Sequence, residues 1–406
     1  MTTTFLPAHH QSSSVSGTKH SHVLQRMLSL HDFEAEARRV LPRPIFGYVS
    51  GAAEDNRTRD ENRQVFDEYG FVPRVLRNVS ERSQTVELFG RCYASPFGIA
   101  PMGIHALSAY RGDLVLARAA QEANIPSIMS GSSLVPLEDV AAAAPDTWFQ
   151  AYLPGDASLI SALVERVAIA GYRTLVITVD IPVSANRENN VRTGFSTPLR
   201  PNLRLLWDGL ARPRWLTGTF MRTLLTHGMP HFENSFATRG APILSANVMR
   251  DFSARDHLDW RNIQAIRAQW KGELVIKGIL SVDDALLARE AGADGIILSN
   301  HGGRQLDGAV SPMRVLPEVI DAVGHSYPVM IDSGFRRGSD VLKALALGAR
   351  MVFVGRPFNY ASAVAGDTGV AHAIRLLREE IDRNMAMLGA QTCSHVTSNM
   401  LRRRYR

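Results

Sequence analysis

Short apolar runs recur through most of this chain, and segments with helical spacing of their apolar residues separate them. A short apolar run with helix-like sequence on both sides is typical of a buried strand in a parallel sheet. Eight such runs follow one another. They are Phe97–Ala100, Ser127–Met129, Trp148–Tyr152, Leu175–Val179, Leu274–Lys277, Ile296–Ser299, Val329–Asp332 and Met351–Gly355.

The segments between these runs read as helices that end at small residues. Breaks of this kind lie at Ala170-Gly171, Ala291-Gly292 and Leu347-Gly348. Eight strands that alternate with helices predict an α/β fold, namely a (β/α)8 TIM barrel. The sequence favours this barrel over an open doubly wound sheet, because no Gly-x-Gly-x-x-Gly turn opens the first unit.

One gap interrupts the regular spacing of the runs. The fourth run begins at Leu175 and the fifth only at Leu274, so we predict a long insertion after the fourth strand, at about residues 197–256. Its first part, residues 197–231, has five arginines and one acidic residue, Asp208, interleaved with Leu, Trp, Phe and Met. This composition is typical of a helix in an anionic membrane interface. A mobile lid, or a surface packed against another subunit, explains it equally well.

A helical extension precedes the barrel. Residues 32–66 have helical spacing, interrupted by two prolines just before Tyr48. Residues 1–28 are rich in Ser, Thr and His and contain no apolar stretch of a secretory signal, so we expect a disordered tail there. We expect a single domain over residues 29–394 and a basic tail over residues 395–406.

Composition and charge narrow the classes of partner. The 406 residues have a formal net charge of +6, a modest excess that does not predict nucleic-acid binding. Cys92 and Cys393 are the only cysteines, which fits a reducing compartment and excludes a disulfide framework or a cysteine-rich metal site. No run of 18 apolar residues is present to span a membrane. We therefore expect a cytoplasmic protein without a metal centre.

The sixth run leads directly into Ser299-Asn300-His301-Gly302-Gly303-Arg304-Gln305-Leu306-Asp307. In α/β barrels, residues at the carboxyl ends of the strands form the active site. His301 can exchange a proton near neutral pH, and Arg304 offers a planar cation suited to a carboxylate. The motif predicts a base beside an anion-binding group, although an isolated His after a strand is more often a hydrogen-bonded structural residue.

Two further strand ends predict an anion site. The seventh run continues into Gly334 and Arg336, and the eighth ends in Gly355-Arg356. Glycines that expose backbone N–H groups beside arginines form a cradle for phosphate, and barrels often bind phosphate between the seventh and eighth loops. Lys277 is the only charged residue of its run, and a buried Lys needs an anionic partner.

The nonamer at residues 299–307 resembles the signature of the FMN-dependent L-2-hydroxy acid dehydrogenase and oxidase family, to which glycolate oxidase belongs. Further matches extend from about Asp32 to Ser394. Residues 319–349 and parts of the insertion are most similar to the mandelate-oxidising bacterial members. The resemblance implies a (β/α)8 barrel that binds FMN and oxidises an L-2-hydroxy acid to the 2-keto acid.

The resemblance also implies which residues hold the cofactor. The matching positions are Pro101, Met102, Gly103, Ser130, Gln150, Thr178, Lys277, Ser299, Asp332, Gly334, Arg336, Gly355 and Arg356. Those after the seventh and eighth strands are implied to bind the FMN phosphate and ribose, and Lys277 the N1 and O2 edge of the flavin. Without the resemblance, a polar residue at a strand end is explained equally well as a cap.

Six residues are implied to act on the substrate. They are His301, Asp180, Tyr152, Tyr48, Arg187 and Arg304. His301 is implied to be the base, and Asp180 to orient its imidazole and stabilise its charged form. The two arginines are implied to bind the substrate carboxylate together with the two Tyr hydroxyls. The sequence leaves open whether the α-hydrogen departs as a proton or as a hydride.

Ser132 bears on the choice of substrate. Plant glycolate oxidases have a Trp at this position, so the smaller side chain predicts room for a phenyl or a long alkyl group. We therefore expect an aromatic or otherwise bulky L-2-hydroxy acid. An L-lactate dehydrogenase and an oxygen-using oxidase are alternatives within the family, and a catalytically silent barrel that binds a phosphorylated ligand is the alternative from another class.

The resemblance also predicts partners and location. It implies a quinone or another membrane electron acceptor, a homotetramer, and a peripheral position at the inner face of a bacterial membrane. Residues 197–231 are then the segment that contacts an anionic membrane surface, and no nucleic acid is expected.

Overall fold

The computed structural model describes residues 22–196, 203–245 and 255–404, with only the backbone of Arg204. Eight parallel strands form one sheet in the order one, eight, seven, six, five, four, three, two. A bridge between Ile99 and Ser127 joins the two ends of this order, so the sheet closes into the predicted barrel. In chain order, barrel strands one to eight are Phe97–Ile99, Ile128–Ser130, Trp148–Ala151, Thr174–Thr178, Glu273–Ile279, Gly295–Leu298, Val329–Ile331 and Met351–Val354.

Both faces of the sheet are buried, which explains why the strands have continuous apolar sequences. In barrel strand five, Val275 belongs to the cluster that fills the barrel interior. Its neighbours Leu274 and Ile276 belong to the larger cluster between sheet and helices, which extends from Met27 to Leu401. A hairpin formed by Val86–Leu88 and Arg91–Tyr93 closes the amino-terminal end of the barrel. The carboxyl ends of the strands therefore form the open end.

One barrel helix follows each barrel strand, and further helices lie between strand four and its barrel helix. Ser281 caps one of them, because its hydroxyl accepts a hydrogen bond from the Asp284 N–H. The last helix has non-helical backbone at Ala365 and Gly366 and so consists of two parts. In chain order these helices are Gly112–Glu122, Leu137–Ala143, Ala157–Ile169, Trp260–Gln269, Val282–Glu290, Pro312–Val323, Gly338–Ala346 and Arg356–Leu388.

The predicted helical extension packs against the open end of the barrel. The Ala53 N–H donates to Gly303 O, and the Arg304 and Arg356 guanidinium groups both donate to Gly51 O. The extension therefore forms one wall of the barrel mouth. Its elements are helices Asp32–Val40, Arg43–Ser50 and Arg57–Gln64, the 3-10 turn Val65–Glu68 and the strand Tyr69–Phe71.

The two ends of the chain differ from the expected tails. Within residues 1–28, the part from residue 22 onward belongs to the fold, and Met27 is buried in the core. At the other end, Leu401–Arg403 forms an antiparallel strand with Tyr69–Phe71, and Leu401 is buried. Apolar side chains that can pack explain both differences. The rest of the expected tails, residues 1–21 and 405–406, lies outside the described residues.

The insertion after barrel strand four is mostly helical over residues 203–227 and irregular over residues 228–245. Its first helix exposes most of its large apolar residues. Trp215, by contrast, is buried and donates its indole N–H to Leu107 O at 2.7 Å. The elements are helices Leu203–Leu210, Pro213–Trp215 and Arg222–His227 with the π-helical turn Leu216–Met221 between the last two. Residues 197–202 and 246–254 of the predicted insertion lie outside the described part.

Four further short elements lie in the described part of the chain. They are helix Glu188–Thr193 and the 3-10 turns His105–Leu107, Cys393–His395 and Ser398–Met400. Over the described ranges, no helix combines the length and the apolar character needed to cross a bilayer.

Candidate active site

A cavity of about 620 Å³ opens at the carboxyl ends of the barrel strands. Most of the residues singled out from the sequence line it. These are Tyr48, Pro101, Met102, Gly103, Ser132, Tyr152, Thr178, Arg187, Lys277, His301, Arg304, Asp332, Gly334, Arg336, Gly355 and Arg356. The other four lie behind the lining: Ser130, Gln150, Asp180 and Ser299. The fold thus brings together residues from all eight strand ends and from the helical extension.

His301 and Asp180 form a hydrogen-bonded couple, with His301 at the cavity wall and Asp180 behind it. The imidazole Nδ1 lies 3.1 and 3.3 Å from the two carboxylate oxygens of Asp180. The His301 backbone has φ of 56°, an uncommon left-handed conformation for a residue with a side chain. Its N–H donates to the Ser299 hydroxyl at 3.0 Å, which helps to hold that conformation. Because Nδ1 faces Asp180, Nε2 remains as the ring nitrogen for the cavity.

The protein environment lowers the pKa of both His301 and Asp180. Burial lowers the pKa of His301, and the Asp180 carboxylate opposes that shift, while Lys277 and Arg187 add to it. For Asp180, burial raises the pKa, but His301 and Lys277 outweigh burial and the net shift is downward. The couple is therefore a neutral imidazole beside a carboxylate, which is the arrangement of a base that can accept a proton at Nε2.

Two guanidinium groups lie next to each other near this couple. Arg304 donates through Nη1 to Tyr48 O at 2.5 Å and to Gly51 O at 3.0 Å, and its Cζ lies 4.7 Å from the Tyr48 ring. Burial, and then repulsion by Arg187, lowers the pKa of Arg304 to about 10. Two neighbouring cations at a cavity wall favour an anionic ligand such as a carboxylate.

Lys277 has a protein partner that was not predicted. Its ammonium lies 3.0 Å from the Asp332 carboxylate and donates to the Ser299 hydroxyl at 2.7 Å. Asp332 in turn accepts from the Ser333 hydroxyl at 2.9 Å. The buried charge is thus compensated by the neighbouring strand end. An anionic ligand in the cavity would therefore be a second anionic partner for Lys277, in addition to Asp332.

Two buried polar groups identify where a planar polar ligand fits. Gln150 Nε2 and Thr178 Oγ1 have no hydrogen-bond partner among the described residues. The Gln150 Oε1 accepts from the Ser130 hydroxyl at 3.1 Å, and this bond fixes the orientation of the amide, so the NH₂ end is the one that needs an acceptor. A buried donor without a partner is costly, and the polar edge of a flavin ring offers the acceptors and donors that such groups need.

The opposite end of the cavity fits a phosphate. Gly334 has φ of 90°, and a Cβ there would lie 2.1 Å from Asn62 O, so only glycine fits. Arg356 donates to three backbone carbonyls, and burial lowers its pKa to about 9. Burial also lowers the pKa of Arg336. Two half-buried guanidinium groups beside glycines at the cavity wall favour a ligand with more than one negative charge.

The cavity also has walls that the sequence did not indicate. Phe232 and Arg255 lie in the predicted insertion, and Phe195 just before it. Arg255 is buried, and its Cζ lies 5.4 Å from the Tyr152 ring. No local signal identifies these residues, because aromatic and basic side chains are frequent throughout this segment. Gln305, which belongs to the nonamer but received no role, contacts both Arg187 and Asp180.

Comparison with known proteins agrees with this geometry. The sequence profile of the FMN-dependent dehydrogenase family matches residues 37–403. The (S)-mandelate dehydrogenase of Pseudomonas putida is 39% identical over 377 residues, which cover 92% of this chain and 93% of that protein. The chain belongs to the FMN-dependent dehydrogenase family. It is therefore an oxidoreductase that uses FMN, and the predicted family and cofactor are confirmed.

Other members of the FMN-dependent dehydrogenase family are nearly as similar. An L-lactate dehydrogenase of Azorhizobium caulinodans is 38% identical over 377 residues, covering 92% of this chain and 98% of that protein. The crystal structure of the monotopic membrane protein (S)-mandelate dehydrogenase has a TM-score of 0.86 and 36% identity, and the match covers 94% of this chain and all of that chain. The predicted barrel fold is thus also confirmed.

Proposed function

We propose that this FMN-dependent dehydrogenase oxidises an aromatic or otherwise bulky L-2-hydroxy acid to the 2-keto acid. The observation that supports this most directly is the His301–Asp180 couple beside two guanidinium groups in one cavity. A base next to a carboxylate-binding pair is what a 2-hydroxy acid requires, because its hydroxyl-bearing carbon is bonded to its carboxylate.

In this proposal, His301 Nε2 accepts a proton from the substrate. The Asp180 carboxylate then stabilises the imidazolium, because it lies 3.1 Å from Nδ1 and needs no movement to do so. His301 is kept neutral before the reaction, since burial lowers its pKa. The same couple fixes the tautomer, because Nδ1–H donates to Asp180 and leaves the Nε2 lone pair for the substrate.

The substrate carboxylate would be bound by Arg187 and Arg304. Hydrogen bonds to backbone oxygens of the helical extension fix the orientation of the Arg304 guanidinium group. The Tyr48 and Tyr152 hydroxyls complete the polar wall. Burial, and then the Asp180 carboxylate, raise the pKa of Tyr152, so this hydroxyl stays protonated as a donor. Removing water from this wall strengthens each of these charge-assisted bonds.

FMN, when bound, supplies the acceptor for the two electrons that leave the substrate. The chain would hold the flavin ring with Pro101, Met102, Gly103, Ser130, Gln150, Thr178, Lys277 and Ser299. It would hold the ribose and phosphate with Asp332, Gly334, Arg336, Gly355 and Arg356. The Gln150 and Thr178 groups that have no partner among the described residues support the first assignment, and the half-buried Arg336 and Arg356 support the second.

A bulky substrate is supported by small side chains at one wall. A Cβ built on Gly103 would lie 3.0 Å from Ser132 Cβ and 3.4 Å from the Tyr48 hydroxyl. Gly103 and Ser132 are thus already in close contact, so a larger side chain at position 132 would have to extend into the cavity that both residues line. Phe195 and Phe232 give the same region apolar surfaces, which suit a phenyl group.

A membrane electron acceptor is supported by the first helix of the insertion. Leu203, Leu206, Trp207 and Leu210 are 86%, 60%, 71% and 54% exposed. Their i, i+3, i+4, i+7 spacing places them along one stripe of the helix. An apolar stripe that faces outward is typical of a helix in a membrane interface. The chain would therefore lie at the inner membrane face and pass electrons to a quinone or a similar acceptor.

Within residues 197–231, the arginines whose side chains the structure describes contribute less to such a surface than their number suggests. Each contacts the barrel or its extension through its guanidinium group. The contacts are Arg212 with Leu41 O, Arg214 with Val364 O and Arg222 with the Tyr110 ring. The proposed membrane contact therefore relies on apolar burial more than on attraction to anionic lipid. A homotetramer remains part of the proposal on the family resemblance, and light scattering of the purified protein measures its mass.

The test of the substrate class is rapid-mixing flavin reduction against a panel of acids. The panel contains (S)-mandelate, L-lactate, glycolate and a long-chain L-2-hydroxy acid. We expect the highest kcat/KM with mandelate or the long-chain acid. A preference for L-lactate would identify the alternative lactate dehydrogenase, and reoxidation in air as fast as turnover would identify an oxidase. Reduction by none of the acids would contradict the proposal.

A further inference from the structure

Gln305 joins two loops of the active site. The loop after barrel strand four contributes Asp180 and Arg187, and the loop after barrel strand six contributes His301 and Arg304. Gln305 Oε1 accepts from Arg187 Nη2 at 2.5 Å. Its Nε2 donates to the Asp180 backbone oxygen at 3.1 Å. One half-buried amide thus contacts the loop that provides Asp180, the partner of the base, and Arg187, which lines the cavity.

The hydrogen-bonding properties of the two partners fix the orientation of the Gln305 amide. A guanidinium group can only donate and a peptide oxygen can only accept, so the amide oxygen must face Arg187 and the NH₂ group must face Asp180. A Glu side chain could satisfy the first partner but would place an acceptor against the second. A Leu side chain of similar size would satisfy neither. Among side chains of this length, Gln alone serves both partners.

The contact with Arg187 restrains a long and flexible side chain. Arg187 Nε donates to Arg304 O at 3.1 Å, and Nη2 donates to Gln305 at 2.5 Å. These two bonds hold one edge of the planar group, so Nη1 remains for a ligand in the cavity that Arg187 lines. We propose that Gln305 is a positioning residue that orients Arg187 toward the substrate carboxylate and holds the Asp180 loop against the His301 loop.

This role rests on the proposed function, since it concerns a substrate with a carboxylate. Gln305 itself does not line the cavity, so its effect must pass through Arg187 and Asp180. Small errors in the placement of a binding group can lower a rate by about 100-fold. A carboxylate substrate should therefore be more sensitive to the loss of Gln305 than a neutral analogue of the same shape.

The test compares a free 2-hydroxy acid with its methyl ester. In Gln305→Leu holoenzyme, we expect kcat/KM for (S)-mandelate to fall by about 10- to 100-fold. The ratio of kcat/KM for the acid to that for methyl mandelate should fall by at least about tenfold, with a rise in KM for the acid. Gln305→Glu should lower the same ratio, because a carboxylate beside Arg187 offsets its positive charge. The second variant retains the size of Gln and guards against a folding defect in the first.

Gln84→Leu is the matched control. Gln84 is also half-buried, donates from Nε2 to a backbone oxygen (Arg378) at 3.1 Å, and does not line the cavity. This variant should keep the wild-type acid-to-ester ratio. If every Gln305 variant that binds FMN keeps a ratio within about twofold of wild type, Gln305 does not position Arg187. A wild-type protein that no 2-hydroxy acid reduces would instead contradict the proposed function, so the two failures are distinguishable.

Discussion

The polar residues of the nonamer at 299–307 each have a partner from another part of the chain. The pairs are Ser299–Lys277, Asn300–Asn62, His301–Asp180, Arg304–Tyr48, Gln305–Arg187 and Asp307–Thr58. One short segment therefore connects barrel strand five and the loop after barrel strand four with the helical extension. A substitution in it is expected to disturb geometry as well as chemistry.

The His301–Asp180 couple makes a testable prediction about pH. Burial lowers the pKa of His301 below its ordinary value of 6.5, and the Asp180 carboxylate opposes this shift. Because the base must be neutral, kcat/KM should fall as the pH drops through that lowered pKa, and the acid limb should have a midpoint below 6.5. In Asp180→Asn the opposing carboxylate is lost, so the midpoint should move to still lower pH while kcat falls by roughly 10²- to 10⁴-fold.

The pH dependence of kcat/KM for wild type and Asp180→Asn measures this directly. The FMN absorbance spectrum of each variant controls for cofactor loss. A midpoint that moves to higher pH in the Asn variant would mean that Asp180 is not the group that raises the His301 pKa.

Ser132 makes a prediction about substrate size. Ser132→Trp should place its indole in the cavity that Ser132 lines, because Gly103 already packs so closely that an added Cβ there would lie 3.0 Å from Ser132 Cβ. We expect kcat/KM for mandelate to fall relative to L-lactate by more than about tenfold, because an indole is much larger than the methylene that changes binding by about 1 to 3 kcal/mol. L-Lactate is the internal control, and equal losses for both acids would show that Ser132 does not select by size.

At the scale of elements, spacing in the sequence predicted the insertion but not its surface. Its Arg, Trp and Leu content indicated a basic amphipathic segment, yet Trp215 is buried and stacks on Phe220. Arg212 and Arg214 donate to backbone oxygens of the barrel and its extension. Composition cannot distinguish an anchoring side chain from an exposed one, since that depends on which carbonyls lie nearby. The outward stripe of Leu203–Leu210 became evident only once the helix was placed.

That stripe gives a prediction for membrane association. The double variant Leu206→Ser, Trp207→Ser should lower the partition coefficient onto bacterial-lipid vesicles by at least about tenfold, because burial of a large apolar side chain contributes about 1.5 to 3 kcal/mol. FMN content and flavin reduction should remain at wild-type values, since neither residue lines the cavity. The measurement is sedimentation with vesicles.

Ile169→Ser is a suitable control for this experiment. Ile169 is 80% exposed, but it lies at the end of helix Ala157–Ile169, away from the insertion. If the double variant and the control sediment equally with vesicles, the insertion acts as a lid or as a subunit contact instead of a membrane contact.

At the scale of the whole molecule, the count of eight apolar runs was enough to predict the barrel, because both faces of each strand are buried and the runs are therefore continuous. The sequence did not reveal that Leu401–Arg403 pairs with Tyr69–Phe71, since a three-residue strand that contains two arginines has no distinctive pattern. It also did not reveal that Asp332 neutralises Lys277. Such long-range pairs depend on which strand ends become neighbours, which local patterns do not specify.

We propose that His301 is the base for oxidation of a 2-hydroxy acid inside an FMN-binding barrel. The measurement that tests it most directly is the loss of flavin absorbance without oxygen, after purified wild-type protein or His301→Gln is mixed with (S)-mandelate. We predict that both proteins retain FMN and that the variant reacts at least about 10²- to 10⁴-fold more slowly, because it loses a positioned proton acceptor. A variant that loses its flavin absorbance at nearly the wild-type rate would contradict the account.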